Sequence, residues 1–528
     1  MSQPATWSAP RPALVSAERM IPLGLLFGVG SLIFMAVVVM NGHIGWALAP
    51  ILLALYLWQV FTAPVRSTFF ILLLLSLSFD RTGDASGLWE SPFVNIGGLM
   101  AYNMSNVLGI EALKVSGIVL TLFLLFAVRV HRSFIGRVVD TPDALAPAPP
   151  FNWALLVGAG TAFWVIAWGV LKGGDTQMAK VQTQVYLPTL VAAFVLAASL
   201  RGPRDYRTYG KLIVVAAWCK SILAVWARHD MPAFVPDKWG ILYEVEYATN
   251  HGDSLLFASA CLVLIVPLFF KPSWKTLRTT LLCLPLIIVG MVENDRRLVW
   301  VELGLGLMLL PILSPHTLVA RKIKRLLVVL SPVILLYVGV GWFSANPVFG
   351  PVKMVRSIVD SKQSDGSLDK STLFRDVENF NLIYTLQSNP FLGQGFGHPF
   401  ATAVQNADLS GFKEYPFLPH NSLLGLMAFA GGLGVLGLFT PYVMAFYFAV
   451  RSQYLAQSPD HAIAAAVVIG NLCAYLMHVW GDIGFTEPTG IFTYGGSLAV
   501  AAQLAVATGA WRRKADLELP TSPHVNRS

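Results

Sequence analysis

The chain has 528 residues and a net charge of +8, and 55% of its residues are hydrophobic whereas only 12% are charged. Because soluble domains carry about 25% charged residues, this composition excludes a soluble enzyme, a disordered chain and a nucleic-acid-binding module. Apolar runs recur from residue 20 to residue 511 and indicate a polytopic membrane protein, so the positive charge bears first on topology. The four cysteines lie in apolar runs without metal-ligand spacing and predict neither a zinc site nor a disulfide framework.

Taken in chain order, the apolar runs predict about 14 membrane-spanning helices, with a range of about 12–14. Their expected bounds are 20–40, 44–63, 67–79, 107–128, 151–171, 185–200, 211–227, 254–270, 279–293, 298–314, 326–343, 421–450, 462–480 and 490–511. Backbone groups in lipid must be satisfied internally and these runs are too long for barrel strands, so each should be helical. The expected fold is an all-α, polytopic integral membrane bundle.

The distribution of Lys and Arg predicts the orientation. With the N-terminus in the cytoplasm, 22 of the 37 basic residues fall in cytoplasmic segments, including those of every short basic loop. Both termini are therefore expected in the cytoplasm, and the first apolar run is expected to be a retained helix. The predicted organisation is a transmembrane region 1–344, a large outer loop 345–420, a second transmembrane region 421–511 and a cytoplasmic tail 512–528. We see no internal repeat.

The outer loop at 345–420 is too long for a simple connector, since loops beyond about 15 residues are usually functional or disordered. It contains apolar residues at helical spacing: Leu373, Phe374, Val377, Phe380 and Tyr384. This pattern predicts an amphipathic helix that ends before Asn389-Pro390. We expect the stripe formed by Leu373, Val377 and Tyr384 to pack on the membrane bundle. Arg375, on nearly the opposite face, would then meet an aqueous cavity.

Two adjacent arginines, Arg296 and Arg297, follow the ninth predicted span on the outer side, where basic residues run against the topology rule. Desolvation at the membrane edge destabilises them unless they have partners. They could pair with Glu293 or Asp295 at the interface. Alternatively, they could form an anion site, because guanidinium groups bind phosphate through paired donors and stay charged. Arg375, taken alone, would be an ordinary solvated residue.

His420 opens a helix at the outer surface in the run Pro419-His420-Asn421-Ser422-Leu423-Leu424. A histidine at such a position is often a cap or an interface residue. A neutral imidazole can also accept a proton from a sugar hydroxyl. The preceding run, 389–397, is rich in glycine but lacks the spacing and the βαβ setting of a dinucleotide loop, so it predicts a tight turn.

These elements together resemble the O-antigen ligase and polysaccharide polymerase superfamily of bacterial membrane glycosyltransferases. The residues that carry the resemblance are an outer arginine pair, an arginine on a helix in a large late loop, an N-P-x-x-G-x-G turn and an H-N-S-L-L helix start: Arg296, Arg297, Arg375, 389–395 and 420–424. The similarity covers about 280–440. The double arginine leaves the register uncertain by one residue, and the family more often has a small residue before its arginine.

The resemblance implies a GT-C-like fold in the bacterial inner membrane with a periplasmic active site. It further implies that Arg296 or Arg297, together with Arg375, holds the pyrophosphate of an undecaprenyl-diphosphate-linked glycan, and that His420 activates the acceptor hydroxyl. The expected reaction inverts the anomeric carbon and requires neither a metal nor a cofactor. Guanidinium groups would stabilise the charge that develops on the leaving diphosphate. The bilayer would supply the lipid-linked donor, so no nucleic-acid partner is expected.

Weaker candidates for an acceptor or channel site are Asn421, His251, Glu244, Glu246 and Lys220. The Glu-x-Glu pair could ligate a divalent cation or simply form a solvated loop face. Lys220, as an intramembrane cation, could meet a lipid phosphate or pair with a neighbouring acid.

The acceptor decides which enzyme this would be: another lipid-linked repeat makes a polymerase, lipid A-core an O-antigen ligase, and a protein hydroxyl an O-oligosaccharyltransferase. The many spans and the run from Asn294 to Trp300 favour a polymerase or exopolysaccharide role. The alternative from another class is a flippase for the same lipid-linked glycan. A flippase should show repeated halves and a cationic interior, whereas here the charges gather near a single outer loop.

Overall fold

The computed structural model describes much of the chain as a helical bundle. The described residues are 44–79, 100–101, 104, 115–134, 146–230, 234–236, 242–244, 248–294, 296–313, 318–344, 349, 352, 356, 370–405, 414–482, 484 and 488–511. In these ranges the chain forms 15 α-helices and one short strand pair. A boundary between two compact units falls at Thr68 and Phe69. The first unit holds α1, Ile44–Thr62, and the start of α2, Val65–Ser78.

The second unit contains the remaining elements. Its helices are α3 Gly117–Phe134, α4 Pro149–Leu171, α5 Thr176–Thr183, α6 Tyr186–Ala197, α7 Pro203–Asp230, α8 Asp253–Phe270, α9 Trp274–Glu293, α10 Arg297–Leu313, α11 Leu318–Gly341, α12 Lys370–Ser388, α13 Ser422–Leu455, α14 Pro459–Gly481 and α15 Pro488–Ala507. Strands β1, Phe234–Pro236, and β2, Leu242–Glu244, pair antiparallel between α7 and α8, with Phe234 opposite Glu244.

Within the described residues, nine helices are long and apolar enough to cross a membrane: α3, α4, α7, α8, α9, α11, α13, α14 and α15. The prediction of an all-helical, multi-pass membrane protein is therefore confirmed. Thirteen of the 14 predicted spans overlap a described helix, and the first, 20–40, lies outside the described residues. Short α5, with Asp175 capping its N-terminus through Gln177 N and Met178 N, was not predicted.

The most buried helix is α15, which packs against α6, α13 and α14. Small residues dominate its sequence, PTGIFTYGGSLAVAAQLAVA, and nearly all of its side chains are buried. Helices in lipid gain little from the hydrophobic effect, so small side chains that let backbones approach closely are what favour their association. This explains why α15, the least hydrophobic of the last three spans, forms the centre of the second unit.

A turn following α12 inserts into a break in α13. Gly431, at φ 63° and ψ −178°, interrupts the helix in a conformation that is essentially restricted to glycine. The backbone groups that this break leaves open bond to the turn: Gln394 N donates to Ala428 O at 3.2 Å, and Gly432 N donates to Pro390 O at 2.8 Å. The predicted tight turn at 389–397 is thus present, and its backbone contacts hold the first part of α13, up to the break, against the end of α12.

The long outer loop contains the predicted helix, α12, but the helix packs the other way round. Leu373, Phe380 and Tyr384 are 49%, 53% and 51% exposed. The polar residues Asn381 and Thr385 are instead fully buried. The expectation that the apolar stripe packs on the bundle was therefore wrong.

The buried polar face of α12 satisfies backbone groups of an irregular segment, 401–404, that follows the turn. The Asn381 Oδ1 accepts hydrogen bonds from Ala403 N and Val404 N, both at 2.9 Å, and Thr385 Oγ1 accepts one from Ala401 N at 2.8 Å. The side chains of this segment are largely exposed, but its peptide N–H groups find their acceptors on α12. These hydrogen bonds explain why polar residues, and not the apolar stripe, face inward.

Candidate functional site

The candidate site begins with a histidine held by a buried carboxylate. Glu378, on α12, is fully buried and accepts a hydrogen bond from the backbone N–H of His420 at 2.7 Å. Its second oxygen lies 3.1 Å from His420 Nδ1. The side chain of Asn421 caps α13 by accepting from Leu424 N at 3.0 Å. Glu378 thus fixes both the start of α13 and the orientation of the imidazole.

The chemical consequence concerns the second ring nitrogen of His420. If Nδ1–H donates to the Glu378 carboxylate, Nε2 carries the lone pair and can accept a proton. The His420 side chain is 30% exposed, whereas that of Glu378 is 1% exposed. Phe374 packs edge-on against the imidazole, with ring centroids 5.6 Å apart. An oriented imidazole that is partly accessible to solvent is the arrangement that a general base requires.

Arg375 lies one helical turn before Glu378 on α12 and joins this helix to α14. Its Nη1 donates a hydrogen bond to the carbonyl of Gly481, the last residue of α14, at 2.9 Å. The Ser422 hydroxyl, at the start of α13, donates to the carbonyl of the next residue, Asp482, at 3.0 Å. The ends of α12, α13 and α14 therefore meet around Gly481 and Asp482.

Asp482 brings a second histidine to the same place. Its carboxylate lies 2.6 Å from His251 Nδ1, at the entrance to α8, and its side chain is 4% exposed. Burial alone would raise the pKa of the Asp482 carboxyl. The nearby His251, His478 and Arg296 lower this pKa by a larger amount, so it lies well below its ordinary value. Asp482 is therefore a buried carboxylate that is favoured in its ionised form by two histidines and an arginine.

The arginine pair approaches the site through Arg296. This residue lies between α9 and α10 and acts electrostatically on Asp482. Arg297 is the first residue of α10, and both side chains are partly buried. Arg296 and Arg375 thus lie beside the Gly481–Asp482 segment, which Ser422 links to the start of α13, two residues after His420. Asp295, one of the two predicted partners of the arginines, lies outside the described residues.

A third histidine–carboxylate pair lies beneath the site, inside the bundle. His478 Nδ1, on α14, is 2.8 Å from Glu302 Oε1, on α10, and both side chains are essentially inaccessible. His478 is also the helical neighbour of Asp482, whose backbone N–H donates to its carbonyl at 2.9 Å. This contact provides a partner for one polar atom of each side chain and couples α10 to α14.

Other predicted site residues have mainly structural contacts. Lys220 is 3% exposed and pairs with Asp253 at 3.7 Å, so the structure favours the acid-paired alternative over a lipid phosphate. Asn421 acts as the helix cap described above. Glu244 ends β2, where the structure describes its backbone only, and Glu246 lies outside the described residues.

Two acids of this region were missed from the sequence. Glu378 lies three residues after Arg375, which places both on one face of α12, and that spacing could have indicated a shared site. Glu302 is the acid within the apolar span α10, and an intramembrane acid is itself a sign of a functional or paired position. Across the described residues, no group of three or more His, Cys, Asp or Glu side chains is placed to hold a metal ion.

Comparison with known proteins gives no assignment for this chain: no family model matches the sequence, and no curated protein is significantly similar to it. The geometry at the junction of α12, α13 and α14 is therefore the guide to function. That junction combines an oriented imidazole with guanidinium groups, which suits proton abstraction beside an anionic group.

Proposed function

We propose that this protein is an inverting glycosyltransferase that moves a glycan from undecaprenyl diphosphate to a hydroxyl acceptor at the periplasmic face of the bacterial inner membrane. The observation that carries the proposal is the His420–Glu378 pair, with Arg375 one turn away on the helix that supplies the carboxylate. Its fold would be GT-C-like with about 14 spans, and both termini would be cytoplasmic.

In the proposed reaction, His420 Nε2 takes the proton of the acceptor hydroxyl. The acceptor oxygen attacks the anomeric carbon from the face opposite the diphosphate and forms the new glycosidic bond. The bond between that carbon and the diphosphate oxygen breaks, and undecaprenyl diphosphate leaves with the electron pair. Arg375 and Arg296, or its neighbour Arg297, stabilise the charge on the leaving group, an effect worth several kcal/mol at a preorganised site.

Glu378 has the role of a positioning residue in this scheme. It holds the Nδ1 side of the imidazole, so the ring stays in the tautomer that accepts a proton at Nε2, and it stabilises the imidazolium that forms. Arg375 already donates to Gly481 O through Nη1. A guanidinium group has five N–H donors, so its remaining donors can bind a phosphate oxygen.

Among acceptors, we favour another lipid-linked repeat, which would make the protein a polymerase in surface polysaccharide assembly. Transfer to lipid A-core would make it an O-antigen ligase, and transfer to a protein hydroxyl an O-oligosaccharyltransferase. The three share the same donor chemistry and the same roles for His420 and Arg375, so one assay with different acceptors distinguishes them.

The test uses purified protein in liposomes with a lipid-linked oligosaccharide repeat. We expect a ladder of products and release of undecaprenyl diphosphate, both lost in His420→Ala. His461→Ala, which removes a partly buried histidine near the start of α14, is the matched control and should retain activity. Lipid A-core and a protein acceptor are then added in turn. Absence of release with all three acceptors would overturn the proposal and direct the next assay to flipping of the same lipid.

A further inference from the structure

A second feature lies at the other end of the bundle from His420. A cavity of about 650 Å³ opens between the N-terminal ends of α7, α9 and α14, the C-terminal end of α8 and the middle of α15. Small-molecule sites in proteins occupy roughly 300–1,000 Å³. Its walls are predominantly apolar, with Val214, Val263, Val467 and Val500 among the lining residues. The cavity is therefore large enough for a ligand and suited to a hydrocarbon chain.

The mouth of this cavity is basic. Its lining includes four exposed cationic residues, Arg207, Lys211, Lys271 and Lys275, against a single acidic lining residue, Asp460. Asp460 pairs with Arg207 at 3.5 Å, which leaves an excess of three positive charges. These residues lie where α7, α8, α9 and α14 begin or end, which is the level of lipid headgroups for membrane-spanning helices.

The wall also contains unmet hydrogen-bonding capacity. The hydroxyl of Tyr206 and the Oδ1 atom of Asn471 are buried and have no hydrogen-bond partner within the described part of the chain. Both residues line the cavity and are 7% and 4% exposed. Buried polar atoms normally have partners, so these two point to a ligand or an ordered molecule that carries polar atoms into the cavity.

We propose that this cavity binds an anionic phospholipid of the leaflet on that side. The headgroup phosphate would lie against Lys211, Lys271 and Lys275, and an acyl chain would enter the apolar part. A free phosphate or a soluble phosphate ester would leave the apolar walls without a partner, and a zwitterionic lipid would leave the lysines uncompensated. The proposal does not depend on the glycosyltransferase function, because its residues are separate from those around His420.

The test compares lipid retention by native mass spectrometry. Protein in mixed micelles with equal phosphatidylglycerol and phosphatidylcholine should retain phosphatidylglycerol preferentially. Lys271→Gln combined with Lys275→Gln should weaken this preference by about 5- to 30-fold, since a basic residue near an anionic lipid contributes about fivefold. Lys324→Gln combined with Arg325→Gln is the matched control: it removes two exposed charges from α11, outside the cavity lining. This control should retain phosphatidylglycerol as the wild type does.

Several results would overturn the proposal. Equal retention of the two lipids by the wild type would contradict it. An equal loss of the preference for phosphatidylglycerol in both double variants would also contradict it, because that result would indicate an effect of general surface charge. Displacement of phosphatidylglycerol by millimolar glycerol phosphate would indicate a soluble anion site instead.

An independent measurement uses Cys283, which lines the cavity and is partly exposed. Phosphatidylglycerol should slow the alkylation of Cys283 by a maleimide several-fold. The alkylation rate of Cys219, which does not line the cavity, should stay unchanged. Equal rates at Cys283 with and without phosphatidylglycerol would contradict occupation of the cavity.

Discussion

At the scale of single residues, the pairing of His420 with Glu378 is the contact on which the proposed chemistry depends most directly. Glu378→Gln keeps the size of the side chain but removes its charge, so the Nδ1 proton and the imidazolium lose their stabilising partner. We expect glycan transfer to fall by about 10²–10⁴-fold, the range of a general-base contribution. Asp376→Asn, which changes an exposed acid on the same helix, should have little effect.

The two residues should also behave as a unit. Because Glu378 acts through His420, the double variant Glu378→Gln/His420→Ala should be no slower than His420→Ala alone. The measurement is the initial rate of undecaprenyl diphosphate release, with the folded fraction of each variant followed by thermal unfolding. Additive losses would show that Glu378 contributes to the rate by some other route than the imidazole.

A prediction for pH follows from Asp482. A carboxyl whose pKa is lowered in the folded state stabilises that state above the unfolded pKa, about 3.9, and the stabilisation is lost as the pH falls towards the folded value. Removing one partner of a buried pair costs about 3–5 kcal/mol. Asp482→Asn should therefore unfold at a lower temperature than the wild type at pH 7, and by at least as much at pH 5. The difference in unfolding temperature between Asp482→Asn and the wild type should become smaller below about pH 4.

Thermal unfolding in detergent between pH 3 and pH 8 checks this dependence. A difference that disappears between pH 5 and pH 6 would mean that the pKa of the Asp482 carboxyl is raised above its ordinary value in the folded state and that the contact with His251 does not stabilise the carboxylate.

The residue scale also shows what the sequence could predict about the site. Arg375 and His420 could be identified because each stands in a distinctive local context, a helix in an unusually long loop and the start of the next span. Glu378 could not be identified with equal ease, since its partner lies 42 positions further along the chain. The link between His251 and Asp482 spans 231 positions, and no local pattern can indicate such a pair.

At the scale of elements, the break in α13 carries a prediction. Gly431 adopts φ 63° and ψ −178°, and a Cβ at this position would overlap the Phe391 carbonyl of the inserted turn. Gly431→Ala should therefore lower the free energy of unfolding by about 1–3 kcal/mol. It should also reduce activity, because the turn fixes the start of α13, where His420 lies.

Gly160→Ala provides the comparison for this change. Gly160 lies in α4 with helical geometry, and a Cβ there meets no other atom within 4 Å. The two variants are compared by thermal unfolding and by transfer rate. Equal stability of the two would show that the backbone at Gly431 can relax into an ordinary helix and that the turn is not needed to hold it.

The helices themselves were well predicted, because long apolar runs have few alternatives in lipid. The orientation of α12 was not. Periodicity identifies the apolar face of a helix but not what that face meets. Here the irregular segment at 401–404 donates backbone hydrogen bonds to Asn381 and Thr385. The apolar stripe therefore lies outward, a result that becomes evident only once the segment following the turn is placed against the helix.

At the scale of the whole molecule, hydropathy and charge predict how many times the chain crosses the membrane but not which helices touch. The central place of α15 depends on small residues that allow close packing with α6 and α14. Such residues give a weak hydropathy signal. Tertiary contacts also bring the ends of α12, α13 and α14 together. The candidate site therefore forms between segments whose individual sequences do not indicate that they meet.

The last prediction concerns orientation, on which the roles of both ends of the bundle depend. Gln177, on α5, is exposed at the end that holds His420, and Gln457, between α13 and α14, is exposed at the opposite end. The excess of Lys and Arg near Gln457 predicts that this end is cytoplasmic. In a variant without the native cysteines, Gln177→Cys should react with an impermeant maleimide applied to cells with a permeable outer membrane, whereas Gln457→Cys should react only after the inner membrane is disrupted. The opposite result would place His420 in the cytoplasm, where a periplasmic polymerisation step could not occur.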